Sequence, residues 1–179
     1  HRLAPDALYA LGVAQEEAGQ AEAAGKTYDA FLERNPQHAL ATEVGMRRGE
    51  TLFSLGQFAP ASKRFADAAA TAGFALADYA LLRQADSLAQ MQQYSEAAAI
   101  YSTMLERYPN SAHAARAKLA GGKCHYLAGN NAEARRLLGD LATSGGEPGA
   151  EAAHWTARLL IKEGRAADAL PLVEKALPQ

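Results

Sequence analysis

The sequence predicts an all-α fold, an α-solenoid of five helix–turn–helix units. Three observations predict it. Roughly a quarter of the 179 residues are alanine, leucine and glutamate are common, and valine, isoleucine and threonine are scarce. Alanine loses no side-chain entropy in a helix, whereas β-branched residues do. The stretch YDAFLERNPQHA at 28–39 returns, edited, as YSTMLERYPNSA at 101–112, an offset of 73. Finally, short segments reading GQAEAA, GQFAPA, QQYSEA, GNNAEA and GRAADA begin at Gly19, Gly56, Gln92, Gly129 and Gly164, separated by 37, 36, 37 and 35 residues. A period of that size belongs to stacked repeats, because one helix pair cannot bury its apolar stripe alone.

The spacing places five repeats at 5–37, 38–74, 75–110, 111–149 and 150–179. In the first repeat, Pro5 opens a helix near 5–18, where proline is tolerated. Gly19 ends it, and a second helix runs near 21–34 until Pro36 blocks its continuation. The second repeat has helices near 39–55 and 59–72, with Gly56 between them, Pro60 at the second start and Gly73 at the close. The third has 75–91 and 95–108, with Gln92 at the turn and Pro109 at the close. The fourth has 111–128 and 131–142, and TSGGEPG at 143–149 reads as the longest non-helical stretch. The fifth has 150–163 and 166–177, where Pro171 predicts a late start or a kink. Its Leu170, Leu172, Val173 and Leu177 have no following helix to cover them. That, with a chain beginning at His1, is the pattern expected of a piece cut from a longer array, or of an end that packs on another chain.

Small residues recur inside each unit. Gly12, Gly49, Ala85, Gly122 and Ala157 sit midway along the first helices, and Ala24, Ala61, Ala97, Ala134 and Ala169 near the start of the second. Four residues after each alanine stands Tyr28, Phe65, Tyr101, Leu138 or Val173. Small residues allow two helix backbones to approach, and the larger one fills the space beside them.

With these residues the chain resembles the tetratricopeptide repeat family, whose units carry small residues at the eighth and twentieth positions and an aromatic at the twenty-fourth. The resemblance spans about 5–177 and implies a right-handed solenoid in a single domain. Departures are the large Phe31, Met104 and Leu141 at the usually small twenty-seventh position. The linker text ERYPNSAHAARA also resembles repeats of bacterial envelope proteins such as the Tol-Pal coordinator and the lipoprotein of the β-barrel assembly machine. That implies the periplasm or cell envelope in preference to the cytoplasm.

No catalytic constellation is expected, and neither a metal nor a cofactor. GxSxG, HExxH and phosphate-loop patterns are absent, and GGK at 121–123 lacks the flanking residues of a phosphate loop. Cys124 excludes a disulfide framework by standing alone. Cys124 and His125 are neighbours that point apart on a helix and cannot readily share a metal. A buried cysteine is the expectation there, surface roles for His113 and His154, and core or inter-repeat packing in preference to a ligand platform for Trp155. A formal net charge of −2 gives no basic field for nucleic acid, and no apolar run approaches a membrane span.

What remains is a surface. The resemblance implies that the second, fifth, ninth, twelfth and thirteenth positions of each unit line a concave groove. The partner-binding candidates are Tyr9 in the first unit, Met46, Glu50 and Phe53 in the second, and Tyr79, Leu82 and Asp86 in the third. Arg116, Lys123 and Tyr126 follow in the fourth and Arg158 in the fifth. Across all such positions the first three units supply six carboxylates (Asp6, Glu16, Glu17, Glu43, Glu50, Asp86) and no lysine or arginine. The last two supply Arg116, Lys123, Arg158 and Lys162 against Glu151 alone. A groove polarised along its length would hold a peptide by apolar anchors, with charge setting register. Charge reversal at Glu50 and Arg116 is then expected to impair binding without loss of helicity. The family's lysine and asparagine clamp for a C-terminal carboxylate is absent, since the fifth positions are Tyr9, Met46, Leu82, Leu119 and His154. Three classes stay open: an adaptor binding a protein or peptide, a homo-oligomeric scaffold using Leu170 and Val173, and the regulatory arm of an enzyme whose catalytic domain lies elsewhere.

Overall fold

Apolar residues at helical spacing, closed at intervals by glycine, give ten helices in a computed structural model that describes residues 4–176. These are α1 (Ala4–Glu17), α2 (Ala21–Arg34), α3 (Ala41–Ser54), α4 (Phe58–Ala70), α5 (Ala77–Gln90), α6 (Tyr94–Arg107), α7 (Ala114–Leu127), α8 (Asn131–Ala142), α9 (Gly146–Lys162) and α10 (Ala166–Ala176). Among the described residues there is no strand. The chain forms two units, residues 1–91 and 92–179. In the first, α1 to α5 pack each on the next; in the second, α6 to α10 do so, and α7 also meets α9.

Four of the five turns within repeats share one hydrogen-bond pattern. Gly19 donates to the Glu16 carbonyl at 2.9 Å and Gln20 to the Gln15 carbonyl at 2.8 Å. The same pair of bonds recurs at Gly56 and Gln57, Gly129 and Asn130, and Gly164 and Arg165. This arrangement satisfies the last helix carbonyls and needs a left-handed residue, which glycine adopts without cost to a Cβ. Gly19 has φ +72°, and Gln92 at the matching place has φ +60° with a full side chain. Gln92→Gly is therefore expected to stabilise the chain by about 0.5–1 kcal/mol, read as a raised urea midpoint at constant slope.

The small residues meet what the sequence placed opposite them. A Cβ built on Gly12 would lie 2.3 Å from the ring of Tyr28; on Gly49, 2.8 Å from Phe65; and on Gly122, 2.5 Å from Leu138. Ala24, Ala61, Ala97 and Ala134 are fully buried, as are Phe31 and Met104. The large twenty-seventh residues are thus core, Phe31 with Tyr28 and Val44 and Leu141 with Leu138 and Ala152.

One expectation is corrected and one is narrowed. The segment 143–149 is helical from Gly146, so only 143–145 separate α8 from α9, and the linkers 35–40, 71–76 and 108–113 are longer. Pro148 falls in the first turn of α9, where its missing N–H would have had no partner. The final helix does not start late: α10 begins at Ala166 and contains Pro171. Ala169 is held in a cluster with Ala157 and Leu160, against which Leu172 and Val173 pack. That packing on both sides of Pro171 offsets the backbone bond it removes. Leu177 lies outside the described residues.

His125 on α7 is only 8% exposed; its Nε2 is 3.4 Å from Ser102 Oγ and its Nδ1 has no hydrogen-bond partner. Burial pushes its pKa below the ordinary 6.5, with Glu133 opposing and Arg136 reinforcing the shift. The folded state then binds fewer protons than the unfolded one, so stability is present above pH 6.5 and falls as pH drops through that range. Urea midpoints should decline from pH 7 to pH 5, and His125→Leu should flatten that decline.

Candidate functional site

Side chains at the second, fifth, ninth and twelfth positions of a repeat share a stripe with the sixth, because three- and four-residue steps return to one helix face. In residues 1–91 the sixth positions of the second and third repeats carry Arg47, on α3, and Arg83, on α5. Arg47 reaches Glu16 of the preceding repeat at 3.2 Å and Glu43 on its own helix at 3.4 Å. Tyr9 donates its hydroxyl hydrogen bond to Glu43 as well. Burial first, then the Glu43 acceptor, raises the Tyr9 pKa above its ordinary value.

Arg83 grips Glu50 with a fork, Nε to Oε1 at 2.8 Å and Nη2 to Oε2 at 2.7 Å, and places Nη1 3.1 Å from Asp86 Oδ2. Its guanidinium stacks 3.9 Å from the centre of the Phe53 ring. Burial alone would lower the pKa of this group, but the bonds and charge of Glu50 outweigh it and the net shift is upward.

The expected acidic half of the groove is therefore corrected. Of its six carboxylates, Glu16, Glu43, Glu50 and Asp86 are engaged by Arg47 and Arg83 within the fold. Asp6 and Glu17 are exposed. Reversal of Glu50 would set a cation against Arg83, so that substitution tests folding before it tests binding. Met46 at 6% exposure and Leu82 at 0% are core side chains and not open anchors. Tyr9, Phe53 and Tyr79 are half-buried.

The second unit differs. Tyr126 of α7 packs edge-on against Trp155 of α9, ring centres 5.5 Å apart, and both lean on the Leu138–Leu159 core. Arg158 lies 4.8 Å from the Trp155 ring centre and 5.6 Å from that of Tyr126. Lys162 lies 5.2 Å from the Tyr126 centre, and Lys123 5.4 Å from that of Trp155. Lys123 also binds Glu151 at 2.7 Å. Arg158 and Lys162 are exposed and pair with no described carboxylate. Leu127 and Ile161 are 46% and 59% exposed. Of the sequence candidates, this face gathers Lys123, Tyr126 and Arg158; Arg116 is exposed on α7.

Trp155 does pack between repeats, as expected, while its place among cations escaped the sequence reading. Arg47, Arg83 and Trp155 all stand at the sixth position, and its three- and four-residue relation to the groove positions was the available signal. Among the described residues no group of three His, Cys, Asp or Glu is placed to hold a metal ion, and no helix is long and apolar enough to cross a membrane. Cys124 is buried.

Two family models described as tetratricopeptide repeats match the chain, one at 6–38 and 79–111 and the other at 119–179. No curated protein matches it. Among solved structures, MamA from residue 41 to its end, from Desulfovibrio magneticus RS-1, has a TM-score of 0.80 at 14% identity, covering 96% of this chain and 92% of that one. A putative kinesin light chain of Podosopora anserina with nearly identical TPR-like repeats gives 0.74 at 15% identity, covering 98% and 93%. BtubC from P. vanneervenii gives 0.74 at 16% identity, covering 94% and 76%. At such identities the likeness shows the fold. The matched models together span more than half of the sequence, and the chain belongs to the tetratricopeptide repeat family, a fold typical of protein–protein interaction modules.

Proposed function

We propose that the chain is a non-catalytic protein-binding module, an adaptor or scaffold that receives a segment of a partner protein on the faces of its first helices. One observation carries the reading. On α9, exposed Ile161 stands three residues from Arg158 and next to Lys162, two cations with no carboxylate partner among the described residues, and exposed Leu127 follows Tyr126 on α7. Apolar side chains rimmed by polar and charged ones are the make-up of a protein interaction surface. In the first unit the corresponding charges hold repeats together through Arg47 and Arg83, so recognition falls on the second. A bacterial envelope setting, implied by the linker text, belongs to this proposal.

The test is affinity capture from source-cell lysate with two baits, the chain itself and Leu127→Glu/Ile161→Glu, both checked for equal helicity. Partners retained by the first and lost by the second support the reading; identical capture sets contradict it. A self-associating scaffold is the second reading, carried by Leu170, which is 59% exposed on α10. It requires a mass that rises with concentration and a Leu170→Lys variant that does not.

A further inference from the structure

We infer that the α7–α9 face is a docking site for an acidic segment of a partner protein, one that interleaves carboxylates with aliphatic side chains. This rests on the protein-binding reading above and names the chemistry of the partner. Four donor groups lie on this face with no acceptor among the described residues. The Trp155 indole N–H and the Tyr126 hydroxyl make no hydrogen bond to a described residue, and Arg158 and Lys162 have none either. Arginine and lysine bring five and three donors and no acceptor capacity, and their uncompensated positive charge is complemented by an anion. Lys123 shows the contrast: Glu151 already holds it at 2.7 Å.

Nucleic acid would also offer anions, but the face suits it poorly. Stacking a base requires an open ring face. Here Tyr126 and Trp155 meet edge to face, and Arg158 and Lys162 lie over the rings. The exposed Leu127 and Ile161 also ask for apolar cover, which a sugar–phosphate chain lacks and leucine-like side chains supply.

Spacing sharpens the proposal. Arg158 and Lys162 are one helical turn apart, a rise of about 6 Å. Alternate residues of an extended segment are separated by about 6.6 Å and face the same way, so carboxylates at every second position match the spacing of the two cations.

Trp155 is the single tryptophan of the chain, which makes the site its own reporter. The probe is a blocked, glycine- and serine-flanked peptide in which glutamate alternates with leucine, titrated into the full chain while Trp155 fluorescence is read. Saturable change is expected. The glutamine counterpart and the Arg158→Gln/Lys162→Gln variant should each bind at least about tenfold more weakly, with helicity retained, and added salt should weaken the glutamate peptide. Equal binding of the two peptides, an unchanged affinity in the variant, tighter binding of a thymine oligonucleotide, or no saturable change would each overturn the inference. The capture experiment separates the two levels. If partners are still lost from Leu127→Glu/Ile161→Glu while the acidic peptide fails, the protein-binding reading stands and the acidic partner does not.

Discussion

Gly12→Ala is expected to destabilise the chain by about 1–3 kcal/mol, although alanine is the better helix former. The added methyl would lie 2.3 Å from Tyr28 Cε1 and 2.7 Å from Cδ1. Tyr28 cannot swing aside, because it is fully buried and its hydroxyl donates to Glu16 at 2.7 Å. Relief requires α1 and α2 to separate. Gly45→Ala is the control: it is also helical, and an added Cβ there meets nothing within 4 Å. It should stabilise by up to about 1 kcal/mol, the helix propensity difference. Urea denaturation of both variants reads the opposite signs. Equal shifts would show that the close approach of first and second helices is not what the small residues serve.

Arg83→Met should cost about 2–4 kcal/mol, toward the range for breaking a buried ion pair. The Arg83 side chain is 12% exposed and Glu50 23%, so Glu50 would lose its fork in a place with limited water, beside the Phe53 ring. Arg83→Lys should fall between, keeping the charge but losing the fork and the stacked plane. Arg165→Ala, in a pair more than half exposed on both sides, should change stability by under about 1 kcal/mol. If Arg83→Met and Arg165→Ala shift the midpoint alike, the pairing of repeats through the sixth position is decorative.

The helices were legible because their signals are local. The turn residues Gly19, Gly56, Gln92, Gly129 and Gly164 all adopt positive φ, as a helix-ending residue must. The contacts of Gly12 with Tyr28 and Gly122 with Leu138 follow from one register within one repeat. The start of α9 was misjudged because Pro148 and its glycines read as a linker, whereas the first helical turn accepts both. The groove was only half legible. The bonds Arg47–Glu16, Arg83–Glu50 and Lys123–Glu151 join residues 31, 33 and 28 apart. They depend on how one repeat sits against the next, which the spacing inside a repeat does not state. A sign count along the groove positions therefore missed the arginines one step away that neutralise it. Leu82 and Met46 were assigned to the groove by position, but contact with neighbouring helices buries them.

The central claim, that partner proteins dock on the first-helix face of the second unit, is tested most directly by hydroxyl-radical footprinting of the chain with a captured partner. Trp155 and Tyr126 should become protected, while Tyr94 at the start of α6 and Tyr108 just after it should react as in the free chain. Protection of Tyr94 and Tyr108 with Trp155 and Tyr126 unchanged would contradict the account.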